Sequence, residues 1–168
     1  MPFAMSRRPP RVPGFSYIGL HRYSLTFCAR HRQPVFVDAS IVDGSCTQLL
    51  ESANEWGFEV LAYCFMPDHL HVLAEGRAEN ADLIAHAKDI KQRVAYYHPL
   101  RTGLWQKGFY DHVLRDDEAT LDVAKYILEN PLRAGLVREP REHPYAGSGM
   151  WTWDQLIELW QTDGRTFG

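Results

Sequence analysis

Two histidines, His69 and His71, stand two residues apart in an apolar run that follows a Pro67-Asp68 turn. Residues 63–76 predict a strand, a short turn and a second strand. Residues i and i+2 of a strand point to the same face, so the two imidazoles project together. Such a pair can bind one divalent metal if a third ligand comes from elsewhere. The alternative is two histidines on a solvent-facing edge, where exposed histidine is common.

A second group of chemically useful side chains lies at the end of a predicted helix. Tyr126 and Asn130 are four residues apart, so they share a helix face. Pro131 disfavours the helical conformation at Asn130, which predicts the end of the helix there. A hydroxyl nucleophile and an amide oxygen are thereby presented side by side. The alternative is that Tyr126 is a core aromatic and Asn130 a residue that only ends the helix.

The elements that position these residues follow from the spacing of apolar side chains. Strands are predicted over residues 15–30, 58–66, 69–76 and 109–115. Helices are predicted over residues 41–56, 80–98 and from 117 or 118 to 131, with a short C-terminal helix over 152–160 after a loop over 141–149. Gly57 ends the first helix, and Asn80 caps the second. The order β-α-β-β-α-β-α predicts an α+β fold, a ferredoxin-like split βαβ with helices on one face of an antiparallel sheet.

Length and composition bound the class of protein. The chain has 168 residues, 45% of them hydrophobic, which is enough for one domain with short tails. We expect a flexible basic arm over residues 1–13, the main domain over 14–147, and a tail with a short helix over 148–168. Three cysteines without a CxxC pair predict reduced, buried thiols: Cys28, Cys46 and Cys64.

Charge and hydropathy exclude further classes. No apolar run approaches the ~18 residues of a membrane span, and the basic N-terminus is followed by no apolar segment of a secretory signal. We therefore expect a cytoplasmic protein without a membrane partner. The net charge of -3 argues against a general polyanion binder but leaves room for a local basic groove.

Three motifs, "MPDHLH", "GLWQKGFYDHVLR" and "YILENPLRAGLV", occur in this order. Together they resemble the REP-associated tyrosine transposases, a branch of the insertion-sequence transposases of the HUH single-tyrosine type. The resemblance covers residues 14–147 and implies the same split-βαβ fold and a nucleoid-associated protein. It implies that His69 and His71 are metal ligands, that Asn130 is the third ligand and that Tyr126 is the catalytic tyrosine. The family usually has Asn where this chain has Asp68.

The resemblance implies a metal-dependent endonuclease and strand transferase that acts on single-stranded, hairpin or REP-like palindromic DNA. A divalent ion on two imidazoles and an amide oxygen stabilises charge at the phosphate. This donor set suits Mg²⁺ or Mn²⁺, and Mn²⁺ matches imidazole better. Tyr126 then attacks the phosphorus to give a 5′-phosphotyrosine and a free 3′-OH, and no ATP is needed. Monomer and homodimer both stay open.

The candidate DNA contacts are basic, amide and aromatic side chains: Lys88, Lys91, Arg93, Trp105, Gln106, His112, Arg115 and Arg133. An indole at Trp105 would stack on an unpaired base for ~1–3 kcal/mol, or it would anchor the core. On the predicted second helix, Lys88, Lys91 and Arg93 are expected either to contact phosphate or to form a solvated face of the helix. Asp111 and His112 contact the metal ligands or DNA, or they are polar residues of an edge strand. The N-terminal basic arm would reach a groove of the hairpin stem.

Two other functions compete with this interpretation. A domesticated protein that binds DNA hairpins without cleaving them would keep the fold and lose the chemistry. It is distinguished by whether metal changes DNA affinity or produces cleavage. A histidine-triad nucleotide hydrolase would need a third alternating histidine, where this chain has Leu73. Hydrolysis of nucleotide phosphoramidates independent of Tyr126 would support it.

Overall fold

The computed structural model describes residues 11–115 and 119–162, which form a five-stranded antiparallel sheet with helices packed on it. The strands are β1 Arg22–Cys28, β2 Phe58–Met66, β3 His69–Gly76, β4 Tyr110–Val113 and β5 Ala146–Gly147. Their order across the sheet is β4-β1-β3-β2-β5, and every neighbouring pair is antiparallel. The first four strands thus have the arrangement of a split βαβ fold, and the predicted fold class is confirmed.

Five α-helices lie in the described residues: α1 Ala39–Trp56, α2 Leu83–Tyr97, α3 Thr120–Leu128, α4 Asn130–Arg133 and α5 Trp153–Thr162. Asp38 caps α1 by accepting hydrogen bonds from the backbone of Ser40 and Ile41. Gly57 ends the helix in the left-handed conformation, with φ of 75°. None of these helices is long and apolar enough to cross a membrane.

Two hydrophobic clusters cover the two faces of the sheet. On the first face, α1 and α2 pack over alternate strand residues, among them Tyr23, Leu25, Phe27, Leu70 and Val72. On the second face, α3 and α5 pack over Leu61, Cys64, Met66 and Leu73. The prediction that all helices lie on one face is therefore wrong. β2 is apolar on both sides, and Leu73 of β3 adds to the second-face cluster, so both faces must be covered.

Several predicted boundaries differ from the structure. β1 begins at Arg22 rather than at residue 15. Asn80 does not cap α2, because the carboxylate of Asp82 accepts the hydrogen bond from Ala85 N at 3.1 Å. The predicted loop over residues 141–149 contains β5, which pairs with Tyr63 and Cys64 of β2.

Some predictions fall outside the described residues. They are the arm up to residue 10, the start of the third helix at residues 117–118, and the end of the tail from residue 163. All three cysteines are free thiols, and Cys28 and Cys64 are buried while Cys46 is half-buried. The C-terminal helix joins the second-face cluster, where Trp160 is buried and its indole donates to Leu121 O at 3.1 Å.

Candidate metal centre and tyrosine site

The imidazoles of His69 and His71 face each other at the start of β3, with their Nε2 atoms 3.1 Å apart. Both residues alternate with Leu70 and Val72 of the first-face core, so both point to the second face. His71 Nδ1 lies 3.0 Å from the hydroxyl oxygen of Thr26, its register partner on β1. His69 Nδ1 lies 2.6 Å from Oδ1 of Asp68.

These contacts determine which ring nitrogens are available. An Nδ1–H donates naturally to the Asp68 carboxylate and to the Thr26 hydroxyl. When both rings carry the proton on Nδ1, each Nε2 has only a lone pair, and two lone pairs 3.1 Å apart repel unless a cation lies between them. When the Thr26 hydroxyl instead donates to His71 Nδ1, His71 Nε2–H donates to His69 Nε2. The described structure thus contains two converging imidazoles, each with an oxygen partner on the other side of its ring.

Both imidazoles are held in the neutral form that binds metals. Burial lowers the pKa of His71 to about 3, helped by the neighbouring His69 and by the guanidiniums of Arg133 and Arg32. Burial also lowers the pKa of His69, although Asp68 opposes this shift. At neutral pH neither imidazole therefore carries a second proton that a cation would have to displace.

Arg32 is a residue of this site that the sequence analysis missed. Its Nε donates to Oδ2 of Asp68 at 2.8 Å, while the other carboxylate oxygen accepts from His69. Burial opposes ionisation of Asp68, but the His69 hydrogen bond and the Arg32 guanidinium outweigh it and lower the pKa of this carboxyl. Thirty-six positions separate the two residues, so no local sequence signal joins them.

Asn130 and Tyr126 reach the same face of the sheet through α3 and α4. The terminal amide of Asn130 lies 3.5 Å from His69 Nε2, at the limit of a hydrogen bond. Nδ2 is the nearer atom, and a half-turn of the amide would present Oδ1 instead. The structure therefore brings His69, His71 and Asn130 together, one helical turn from Tyr126.

Tyr126 is partly open to solvent and is held by Arg133. The tyrosine is 47% exposed. The Arg133 guanidinium lies 3.8 Å from the centre of its ring, and Arg133 Nη2 donates to Tyr126 O at 2.6 Å. α3 ends at Leu128 and α4 begins at Asn130, with Pro131 in its first turn, where the missing N–H is tolerated. Arg133 thus fixes a nucleophile candidate beside a permanent positive charge.

The two imidazoles fit a divalent ion. Two nitrogens that share one ion at right angles, with bonds of about 2.1 Å, are about 3.0 Å apart, close to the 3.1 Å between the Nε2 atoms. No cluster of three His, Cys, Asp or Glu side chains suitable for a metal occurs in the described residues. The amide of Asn130, 3.5 Å from His69 Nε2, is the neighbouring candidate for a third protein ligand.

The predicted DNA contacts on α2 lie on the opposite face of the sheet from the histidines. Lys91 Nζ donates to the carbonyls of Gln106 and Gly108, both at 2.8 Å, and so holds the loop before β4. Arg93 pairs with Asp89 at 2.7 Å and also with Glu55 and Glu51. Lys91 and Arg93 thus have intramolecular partners, and Lys88 is exposed on the same helix. Their contact with DNA stays a prediction.

Trp105 is a core anchor rather than a free stacking surface. Its indole donates to Lys91 O at 3.0 Å, and its ring packs against Phe27 and Phe36. Gln106 N donates to Cys28 O, which ties this loop to the end of β1.

The β4 residues divide between the two faces of the sheet. His112 pairs with Ser24 on the histidine face and is exposed. Asp111 pairs with Leu25 and therefore points to the opposite face. Arg115 follows β4 and is exposed, and its carbonyl accepts from Arg22 at 3.5 Å.

The sheet order and the histidine pair under a tyrosine-bearing helix are features of a transposase domain. Residues 18–130, well over half of the chain, match the family described as "Transposase IS200 like". The chain therefore belongs to the IS200-like transposase family. Within it, the chain is similar to REP-associated tyrosine transposases.

Three known proteins illustrate the relationship. A REP-associated tyrosine transposase of Haemophilus influenzae is 29% identical, over 57% of this chain and 62% of that one. The chain thus spans less than two thirds of that relative. The ISDra2 transposase TnpA of Deinococcus radiodurans is 30% identical, over 68% of this chain and 86% of its own.

The third protein is a solved structure, that of a REP-associated tyrosine transposase bound to a REP hairpin. It superposes with a TM-score of 0.70 at 20% identity, covering 83% of this chain and 81% of that one. This structural similarity supports the fold described above, an antiparallel sheet with helices packed on it.

Proposed function

We propose that this chain is a metal-dependent endonuclease and strand transferase for single-stranded DNA that carries a hairpin or a REP-like palindrome. Membership of the IS200-like transposase family supports DNA processing. A relative of the same fold is described with a bound REP hairpin, which favours the same class of substrate here. The metal and the covalent intermediate rest on the geometry of the site.

The observation that carries the proposal is the contact between the two Nε2 atoms, 3.1 Å apart and each backed by an oxygen on the other side of its ring. A cation bound by both Nε2 lone pairs would use both rings as this arrangement presents them. His69, His71 and Asn130 would hold Mg²⁺ or Mn²⁺, which supplies Lewis-acid stabilisation of charge on the scissile phosphate. Asp68 and Thr26 keep the ligands in the correct tautomer.

The covalent step is assigned to Tyr126. Its hydroxyl oxygen attacks the phosphorus and forms a P–O bond, while the bond from phosphorus to the 3′ oxygen breaks. The phenolic proton is lost, and the departing 3′ oxygen takes up a proton. One phosphodiester replaces another, so a second 3′-OH can reverse the exchange without ATP. Arg133, stacked on the tyrosine ring, places positive charge beside the phenolate that forms as Tyr126 loses its proton.

Metal binding is the first test. Replacing His69 or His71 by Ala removes one of two nitrogen ligands, and calorimetry should then detect no Mn²⁺ binding at concentrations that saturate the native chain. The matched control is His31→Ala, which removes an exposed imidazole that lies outside the pair. Unchanged Mn²⁺ affinity in both pair variants would refute the metal site.

The same preparations test the form of the substrate. With Mn²⁺ present, a hairpin with a single-stranded flank should be cut, and a fully paired duplex should not, because a phosphodiester must approach Tyr126 without its complementary strand. Equal cleavage of both DNAs would indicate an ordinary nuclease. A protein that binds the flanked hairpin and never cuts it would be the non-cleaving hairpin-binding protein.

A further inference from the structure

Cationic residues are concentrated in two loops that the metal and tyrosine site does not use. Residues 29–37 and 98–109 contain no Asp or Glu, although the whole chain has 21 acidic residues and a net charge of -3. Five of their basic residues are exposed, and one of them, Arg32, pairs with Asp68. The other four are here called the cationic ledge: Arg30, His31, Arg101 and Lys107. In the part of the chain that the structure describes, the side chains of Arg30 and Lys107 make no hydrogen bond or ion pair.

The two loops form one continuous surface. Ala29 and Trp105 make an isolated antiparallel bridge between them. Arg30 N donates to Leu104 O at 2.8 Å. The basic residues of both loops are therefore held in a fixed relation by the backbone.

The ledge is contiguous with the histidine pair. Cys28, the last residue of β1, is the register partner of His69. The next residue, Ala29, donates its N–H to Asp68 O at 2.9 Å. Arg32, in the same loop, forms the ion pair with the Asp68 carboxylate. A strand of DNA with one phosphate at the histidines would thus have its neighbouring phosphates beside the ledge.

The backbone of the two loops is unusual. Three non-glycine residues of the described chain have left-handed φ, namely His31 at 56°, Arg32 at 54° and Arg101 at 45°. This conformation is unfavourable for an L-residue, because its Cβ comes too close to the following carbonyl oxygen. All three residues are basic and all three lie in these loops. The unfavourable backbone conformations of the described non-glycine residues thus coincide with basic side chains at this surface.

An exposed aromatic ring accompanies the cations. Tyr96 at the end of α2 is 75% exposed. The Arg101 guanidinium lies 5.1 Å from the centre of its ring, which leaves the other ring face open. Trp105, by contrast, is partly buried, and its ring packs against Phe27 and Phe36. Cations beside an exposed ring are typical of a surface that binds phosphates and stacks an unpaired base.

We propose that the cationic ledge and Tyr96 bind the single-stranded DNA flank of the substrate, the ledge through its phosphates and Tyr96 through one base. This assignment rests on the proposed function and extends it to a surface on which none of the family's catalytic residues lies. This surface should bind an unpaired strand better than a duplex stem, because a base stacked within a duplex offers no free face to Tyr96.

The test measures binding without cleavage, in EDTA, to a fluorescent hairpin with or without a single-stranded flank. Arg30→Gln, Arg101→Gln and Lys107→Gln should each weaken binding of the flanked hairpin and reduce its salt slope by about 0.7, the loss of one phosphate contact on a single strand. Tyr96→Ala should weaken the same complex about tenfold, whereas Tyr96→Phe should bind like the native chain. The flankless hairpin should bind all variants alike.

Arg77→Gln is the matched control, since it removes the same charge from an exposed arginine just beyond the far end of β3. It should leave affinity and salt slope unchanged. An equal effect of Arg77→Gln would show that only net charge matters and would overturn the ledge. Equal losses for flanked and flankless hairpins would assign the surface to the duplex stem, and unchanged binding in all variants would exclude DNA from it. If any of these results occurs while the native chain still cleaves DNA through Tyr126, the ledge is wrong and the proposed function stands.

Discussion

The proposed chemistry depends on which ring nitrogen of each histidine carries a proton. In the proposed metal-binding tautomers, Asp68 and Thr26 accept from the two Nδ1 positions, and both Nε2 lone pairs converge. The sequence predicted that His69 and His71 share a face, because strand alternation is a local rule. It could not predict Thr26 or Arg32, because sheet register and loop packing bring them to the pair from distant positions.

Asp68 gives a prediction at this scale. Asp68→Ala removes the acceptor that orients His69, and loss of such a partner typically costs 10–100-fold in metal affinity, so Mn²⁺ binding should weaken by about that factor. Asp68→Asn keeps an oxygen acceptor without the charge, and Asn is the usual residue of the family the sequence resembles, so its loss should be smaller. Calorimetry with Mn²⁺ measures both. Native affinity in Asp68→Ala would show that the carboxylate does not orient the ligand.

At the scale of elements, prediction succeeded where the chain carries a local signal. β2 and β3 were predicted with the bounds they have, because Gly57 ends α1 and the Pro67-Asp68 turn separates the strands. β5 has two residues and exists only through its pairing with β2, so no periodicity marks it. The placement of α3 opposite α1 and α2 likewise follows from tertiary packing and not from local pattern.

His86 of α2 shows how packing between elements changes a residue's properties. The ring stacks on Phe58 of β2 with centroids 4.6 Å apart, and Nδ1 lies 3.1 Å from the hydroxyl oxygen of Ser52 of α1. Burial lowers the pKa of His86 to about 4. The folded state therefore keeps this imidazole neutral at pH values where the unfolded chain, with an ordinary pKa near 6.5, already binds a proton.

The resulting prediction concerns stability in acid. The free energy of unfolding should fall by about 3 kcal/mol, through His86 alone, as the pH drops from about 6.5 to about 4. His86→Leu cannot titrate and should flatten this part of the profile from urea denaturation. Ser52→Ala is the control, because it removes the hydrogen bond but keeps the titrating ring, so its slope should match the native slope. Identical slopes in native and His86→Leu proteins would contradict the assignment.

At the scale of the whole molecule, one side of the sheet has a structural role and the other carries the site. α1 and α2 bury the first-face core and engage Lys91 and Arg93 in intramolecular contacts. The second face presents the histidines beneath α3 and α4. The cationic ledge follows the end of β1, where Cys28 pairs with His69. Net charge did not predict this distribution, because loops distant in sequence combine their charges only after folding.

The central claim is that Tyr126 is the nucleophile, and the covalent adduct tests it most directly. Hairpin DNA labelled on the 5′-phosphate side of the scissile bond is incubated with Mn²⁺ and resolved on a denaturing gel. The native chain should carry the label, whereas Tyr126→Phe should fold and bind the hairpin yet show neither adduct nor cleavage. The substitution removes only a hydroxyl, which costs at most about 0.5–1.5 kcal/mol of stability. An adduct that persists in Tyr126→Phe would contradict the account and assign the chemistry to another tyrosine, with Tyr110 on the histidine face the first to examine.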